Sequence, residues 1–251
     1  MSQKDSKKDA QSRRIRERVS LGLLVRVRCR ESADRDWEEV SRLIDVTPFG
    51  ARLRLKRPVE IGRLLLLTMA MPRQLRCFDH VEDQYKVWSL VRNLTLLDPQ
   101  TEKGAIVEIG VAFVGKRPPQ SFQANPATRY QIARTKDNET LWAVNEESDE
   151  ILEEMPSERR RATRHSIPIE MLVEPFSEEG NFSSGESTVT ENVSSRGALV
   201  FTTLNLPNGR FVRVTSPQHS AQILAVVRDR RTGADGIPRL HLEFVGSEWP
   251  L

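Results

Sequence analysis

Two kinds of short segment in this sequence carry side chains that could bind a charged ligand, and each kind occurs twice. One is an arginine cluster with the pattern R-R-x-x-x-R, in which x is any residue. The other is a turn motif with the pattern D/N-x-S/T-x-x-G. The clusters are Arg13, Arg14 and Arg18 in copy one and Arg159, Arg160 and Arg164 in copy two; the turn motifs are Asp45, Thr47 and Gly50 in copy one and Asn192, Ser194 and Gly197 in copy two.

The arginine clusters have the chemistry to bind phosphates and purine bases. A guanidinium group is always charged, and its planar fork of N–H donors can hold a phosphate or a guanine edge with two parallel hydrogen bonds or stack on a base. The turn motif adds groups that the arginines lack. Asp45 or Asn192 offers an oxygen that can accept hydrogen bonds from guanine, and Thr47 or Ser194 offers a hydroxyl. The glycine that ends the motif permits either a positive φ or a close backbone approach.

The spacing between the two motifs indicates an internal repeat. The turn motif begins 27 residues after Arg18 in copy one and 28 residues after Arg164 in copy two. A repeat determines the architecture of a chain, and this one predicts two domains of about 100 residues, each large enough for a modest hydrophobic core. The predicted boundaries are a disordered basic tail over residues 1–12, domain one over 13–117, a linker with an acidic run over 118–156, and domain two over 157–251.

Each copy has the pattern of several short strands separated by turn residues. Val25, Val27 and Cys29 alternate with arginines in copy one, as in a half-buried strand, and the counterpart in copy two runs from Ile167 to Val173. This pattern predicts a small antiparallel barrel or sandwich for each copy. Copy one has about 16 additional residues, placed in 71–84 or 97–105, and a helix could form over residues 128–143 of the linker.

Other classes of function lack their sequence signals. Cys29 and Cys77 fit neither a metal site nor a disulfide framework, and the four histidines are scattered. No Ser-His-Asp set, P-loop or CxxC motif occurs, so we expect neither an enzyme nor a bound metal or cofactor. The longest apolar run, residues 64–71, is far shorter than a membrane helix, and the first twenty residues are polar, so we expect a cytoplasmic protein. The net charge of +3 is too small to favour nucleic acid as a partner.

With the arginine clusters and the turn motifs, both copies resemble PilZ domains, the bacterial receptors for cyclic di-GMP. The motifs of that family are RxxxR, often preceded by another arginine, and D/NxSxxG. Copy two matches both in full, whereas copy one has Thr47 where serine is usual. The resemblance covers about residues 11–117 and 157–246. It implies an all-β fold, with two six-stranded antiparallel β-barrels joined by a partly helical or disordered linker.

The resemblance also implies a function, in which the arginine arm folds over cyclic di-GMP against the barrel face that bears the turn motif. We expect a ligand site in copy two, formed by its six motif residues, and a weaker second site in copy one. Many barrels of the family end in a helix, but only Ser247–Leu251 follow the last predicted strand of copy two. The alternative is a ligand-independent interaction module. Either way, we expect a downstream protein partner, which the sequence does not identify, in motility, secretion or polysaccharide machinery.

Overall fold

A computed structural model of the protein describes residues 18–98, 104, 106–133, 141–147, 163–177 and 180–251. Four of the six predicted arm residues, Arg13, Arg14, Arg159 and Arg160, lie outside these ranges. The basic tail predicted over residues 1–12 and most of the acidic run also lie outside them. In the described part of the chain, no helix is long and apolar enough to cross a membrane.

The first half of the chain forms a closed antiparallel barrel of six strands, called barrel one. Its strands are β1 (Leu24–Arg30), β2 (Asp36–Thr47), β3 (Gly50–Leu55), β4 (Leu64–Met69), β5 (Tyr85–Leu96) and β6 (Val107–Gly115). Their order around the barrel is β1-β2-β3-β6-β5-β4, and β4 pairs with β1 to close it. Closure leaves no exposed strand edge.

The linker segment packs on barrel one. It contains the short helix α1 (Gln120–Ala124) and two strands, β7 (Tyr130–Ile132) and β8 (Val144–Glu146), which pair antiparallel. The predicted helix over residues 128–143 is therefore wrong at both of its described ends. Phe122 and Tyr130 are buried against Leu64 and Leu90 on the outer face of barrel one, and this burial favours the strand pair over a helix with irregular apolar spacing.

The second half of the chain forms barrel two, with the same topology. Its strands are β9 (Glu170–Pro175), β10 (Glu186–Ser194), β11 (Gly197–Phe201), β12 (Phe211–Ser216), β13 (Ala221–Thr232) and β14 (Pro238–Val245). Their order is β10-β11-β14-β13-β12-β9, and β9 pairs with β10. The predicted all-β fold with two six-stranded antiparallel barrels is confirmed.

The alternation of apolar and polar residues along the strands determines which side chains form the core of each barrel. Val25, Val27 and Cys29 on β1 point inward with no exposed surface, and the arginines between them are exposed. The prediction that Ile167 faces the second core is wrong, since this side chain is 47% exposed. Strand β9 begins only at Glu170, and the Ile167 carbonyl accepts a hydrogen bond from the hydroxyl of Thr190.

The additional residues of copy one are divided between two loops. The β4–β5 loop covers residues 70–84, whereas the matching β12–β13 loop covers only 217–220. The β5–β6 loop covers residues 97–106, against 233–237 between β13 and β14. Both segments that the sequence offered for the insertion therefore contain part of it.

An apolar and charged interface joins the two barrels. Leu224, Val226 and Val245 of barrel two belong to the same buried cluster as the core of barrel one. At the edge of this cluster, Arg228 on β13 donates to Glu60 of barrel one with a 2.5 Å Nη2–Oε2 distance. Arg129, beside β7, pairs with Glu60 at 3.8 Å. The linker and both barrels thus share one ion cluster.

Candidate functional site

Each turn motif spans the connection between two neighbouring strands. Asp45 and Thr47 end β2 and Gly50 begins β3; in barrel two the matching residues end β10 and begin β11. A β-bulge precedes the motif in both barrels, because the strand register shifts between Leu43 and Asp45 and again between Thr190 and Asn192. The bulge adds one residue to the strand, after which Asp45 lies opposite Arg52 and Asn192 lies opposite Leu199 in the strand register.

The hydroxyl of the motif holds the turn itself. In barrel one, Thr47 Oγ1 accepts a hydrogen bond from the Phe49 backbone N–H at 3.2 Å and donates to the Gly50 carbonyl at 3.3 Å. In barrel two, Ser194 Oγ makes the same two contacts, with Arg196 at 3.4 Å and Gly197 at 3.2 Å. Threonine therefore replaces serine without loss of either bond.

The glycine of the motif allows two backbones to approach closely. A Cβ on Gly50 would overlap the Val111 carbonyl oxygen, and a Cβ on Gly197 would overlap the Leu242 carbonyl oxygen. Neither glycine is among the described residues with positive φ. Of the two roles that the sequence left open for this glycine, the close approach is the one found.

The arginine arm joins the turn motif through a pair of backbone hydrogen bonds. Val19, which follows Arg18, exchanges hydrogen bonds with Val46 at 3.0 and 2.9 Å. His165, which follows Arg164, does the same with Val193 at 2.8 and 2.9 Å. The last arginine of each cluster is thereby fixed beside its turn motif. The first two arginines of each cluster lie outside the described residues.

In barrel one, the acid of the motif is already ion-paired. Arg52 on β3 lies opposite Asp45 in the strand register, and its Nη2 is 2.6 Å from Asp45 Oδ2. Arg18 Nη1 approaches the same oxygen at 3.4 Å. Arg52 also donates to Glu108 on β6 at 3.0 Å. Its hydrogen bond to Asp45 raises the pKa of the Arg52 guanidinium above its usual range.

In barrel two, the same positions hold different side chains. Leu199 lies opposite Asn192, and His241 on β14 lies opposite Leu199. Burial, and then the charge of Arg164, lowers the pKa of His241 below its ordinary value of 6.5. The lowered pKa favours the neutral imidazole, whose Nε2 can accept a hydrogen bond from Arg164 Nη2, 3.4 Å away. Among the described residues, Asn192 has no side-chain hydrogen-bond partner, and its amide stays available.

Aromatic residues close the barrel end beneath each turn motif. In barrel two, the backbone N–H of Trp249 donates to the Ser195 carbonyl at 2.8 Å, and the indole stacks on Phe244 at 5.5 Å. In barrel one, the long β4–β5 loop takes this place, with Cys77 Sγ at 3.1 Å from the Pro48 carbonyl and Phe78 packed on a buried tyrosine. In barrel two, Trp249 thus covers this end, and it belongs to the buried core cluster.

Sequence reasoning missed three residues that distinguish the two faces, namely Arg52, Leu199 and His241. A closer alignment of the repeat could have found one of them, because Ile109-Gly110-Val111 in copy one matches Leu240-His241-Leu242 in copy two. The pairing of Arg52 opposite Asp45 could not be predicted from the sequence, since it depends on the bulge before the motif. In the described part of the chain, no group of three or more His, Cys, Asp or Glu side chains could hold a metal ion.

No protein-family model matches the sequence, and no curated protein matches it. Several solved structures are similar. The Bacillus subtilis inhibitor of motility MotI/DgrA is 15% identical, over 91% of this chain and 90% of that chain, with a TM-score of 0.28. Escherichia coli YcgR in complex with c-di-GMP is 13% identical over 89% and 76%, with a TM-score of 0.29. The K. pneumonia MrkH–c-di-GMP complex is 9% identical over 89% and 79%, with a TM-score of 0.28.

Proposed function

We propose that this protein is a PilZ-type receptor for cyclic di-GMP and that it binds the dinucleotide on barrel two. The observation that carries the proposal is the backbone pairing of His165 with Val193, at 2.8 and 2.9 Å. It fixes Arg164 beside the turn motif, so that a phosphate and a guanine can be held together. The proposed ligand-binding residues are Arg159, Arg160, Arg164, Asn192, Ser194 and Gly197.

The arm and the turn motif have different tasks in the proposed site. Arg159 and Arg160 extend the arm ahead of Arg164, and their guanidinium groups would bind phosphate oxygens or stack on the bases. The Asn192 carbonyl would accept hydrogen bonds from the N–H groups of a guanine. Ser194 holds the turn through its hydroxyl. None of these tasks is catalytic, and the proposed role is recognition alone.

The route by which binding would be reported follows from the connection of the arm. Residues 148–162 lead from the hairpin on barrel one directly into the arm of barrel two. A ligand that ties the arm to the barrel face would favour the state of the protein in which these contacts form, because the ligand stabilises only that state. A protein partner that reads this surface would then distinguish the bound form from the free form.

Isothermal titration calorimetry with cyclic di-GMP tests the proposal. We expect saturable heat with the full chain, and a loss of affinity of at least about tenfold in Arg160→Ala, since a charge-assisted contact to phosphate is lost. The matched variant in the other copy, Arg14→Ala, should keep the wild-type affinity. Absence of heat with a folded wild-type protein would contradict the proposal.

The second candidate is a ligand-independent interaction module, and barrel one favours it. The ion pair of Asp45 with Arg52 occupies the group that a guanine would need. A barrel in that state can still present its outer surface to another protein. No heat in the titration, together with a partner that binds equally well with and without cyclic di-GMP, would support this candidate for both barrels.

A further inference from the structure

We propose that Arg52 closes the ligand face of barrel one, so that the chain binds cyclic di-GMP at barrel two alone. This inference rests on the proposed function and specifies which copy of the site is used. Arg52 belongs to neither motif, yet under this proposal its presence determines whether the barrel face beside the turn motif can bind the ligand.

The position of Arg52 makes it a direct competitor of a ligand. Strand pairing sets Arg52 opposite Asp45, and its Nε and Nη2 lie 2.7 and 2.6 Å from the Asp45 Oδ2 atom. The Asp45 side chain keeps only 10% of its surface exposed. A guanine would have to displace a charged guanidinium from this carboxylate and replace it with neutral N–H donors. Either donor would bond an ionised carboxylate, but the guanidinium adds the attraction of its own positive charge, so the exchange is unfavourable.

Arg52 is also held from its other side. Its Nη1 donates to Glu108 Oε1 at 3.0 Å, and Arg54 Nε lies 3.5 Å from the second oxygen of the same carboxylate. Asp45, Arg52, Glu108 and Arg54 thus form a chain of alternating charge across β2, β3 and β6. Rotation of Arg52 away from Asp45 would break contacts at both of its ends, which keeps the face closed.

Barrel two lacks every member of this chain. Leu199 takes the place of Arg52, and Arg239 takes the place of Glu108 in the pairing of β11 with β14. Arg239 binds Asp235 and Glu191, at 2.8 and 2.6 Å, rather than the amide of the turn motif. The Asn192 oxygen therefore has no cation on it among the described residues and can accept from a guanine.

The threonine of copy one is not the reason for the difference. Thr47 makes the same two hydrogen bonds within the turn as Ser194 does. The close backbone approach at Gly50 also matches that at Gly197. What separates the two faces is the charge chain beside the motif.

Titration calorimetry of the full chain with cyclic di-GMP tests the inference through two sets of variants. Arg52→Leu copies barrel two into barrel one, and we expect the bound cyclic di-GMP per chain to double. Arg26→Leu is the matched control, because Arg26 is an exposed arginine of barrel one that pairs with Glu38 and lies outside this charge chain; its stoichiometry should remain that of the wild type. Thermal unfolding of each variant establishes that it is folded.

A second set of variants introduces the arginine of barrel one into barrel two, and it tests the inference even if Arg52→Leu does not fold. The double variant Asn192→Asp/Leu199→Arg should bind at least about tenfold more weakly than Asn192→Asp alone. Equal affinity of these two variants would overturn the inference. A wild-type protein that binds cyclic di-GMP at two sites, one of which is lost in Arg14→Ala, would overturn it as well. Either result would leave the proposed function standing, whereas absence of binding by both wild type and Arg52→Leu would overturn both.

Discussion

Gly197 lies against the backbone of β14, where an added Cβ would overlap the Leu242 carbonyl oxygen. Ser194 is equally committed to the turn, because its hydroxyl bonds two backbone groups there. Two of the three defined residues of the turn motif, Ser194 and Gly197, therefore support the barrel itself. The groups left for a ligand are the side chain at position 45 or 192 and the arginines of the arm.

We expect Gly197→Ala to lower the free energy of unfolding by about 1–3 kcal/mol, because the strands β11 and β14 must move apart. Urea denaturation followed by circular dichroism measures this change. Gly22→Ala is the control, since a Cβ at Gly22 has no atom within 4 Å, and it should change stability by less than about 0.5 kcal/mol. Equal effects of the two substitutions would show that the close approach is not required.

Among the strands and helices, the sequence predicted those features that depend on the local alternation of apolar and polar residues. The alternation in β1 was readable because one face of that strand is buried and the other exposed. The contact of Glu60 with Arg228 could not be predicted from the local sequence, since 168 residues separate them. The strand pair β7–β8 was also missed, because Tyr130 becomes buried only through the barrel surface that receives it.

The buried carboxyl group of Glu60 should make the stability of the interface between the barrels depend on pH. Burial raises the pKa of Glu60, but the charges and hydrogen bonds of Arg228 and Arg63 outweigh it, so the pKa lies below its ordinary value of 4.5. A carboxyl group with a lowered pKa stabilises the fold fully above pH 4.5, and this contribution is lost as the pH falls through the lower folded value. Acid should therefore weaken the connection between the barrels.

We expect Glu60→Gln to cost about 2–3 kcal/mol of stability at pH 7, because it leaves Arg228 partly unpaired in the interface. The difference from wild type should shrink as the pH falls below 4.5. Urea midpoints measured at several pH values check both statements. Glu38→Gln, which removes an exposed partner of Arg26, should have an effect near zero; a similar effect for Glu60→Gln would contradict the prediction.

At the scale of the whole molecule, one fold is used twice with different charges on its faces. The strand order is the same in both barrels; the repeat in the sequence predicted two similar domains, although not the order of their strands. The proposed division of roles was not predictable from the motifs, because Arg52 and Leu199 lie outside them. Under this proposal, the shared apolar packing between the barrels joins one face that is closed to the ligand with one that binds it.

Equilibrium dialysis with labelled cyclic di-GMP tests the central claim most directly. Asn192 offers guanine an oxygen acceptor, and adenine has no N1–H to donate to it. We therefore expect saturable binding that unlabelled cyclic di-GMP displaces and cyclic di-AMP does not, and that Arg160→Ala weakens by at least about tenfold. Failure of the folded protein to retain cyclic di-GMP, or equal displacement by both dinucleotides, would contradict the assignment of this protein as a cyclic di-GMP receptor.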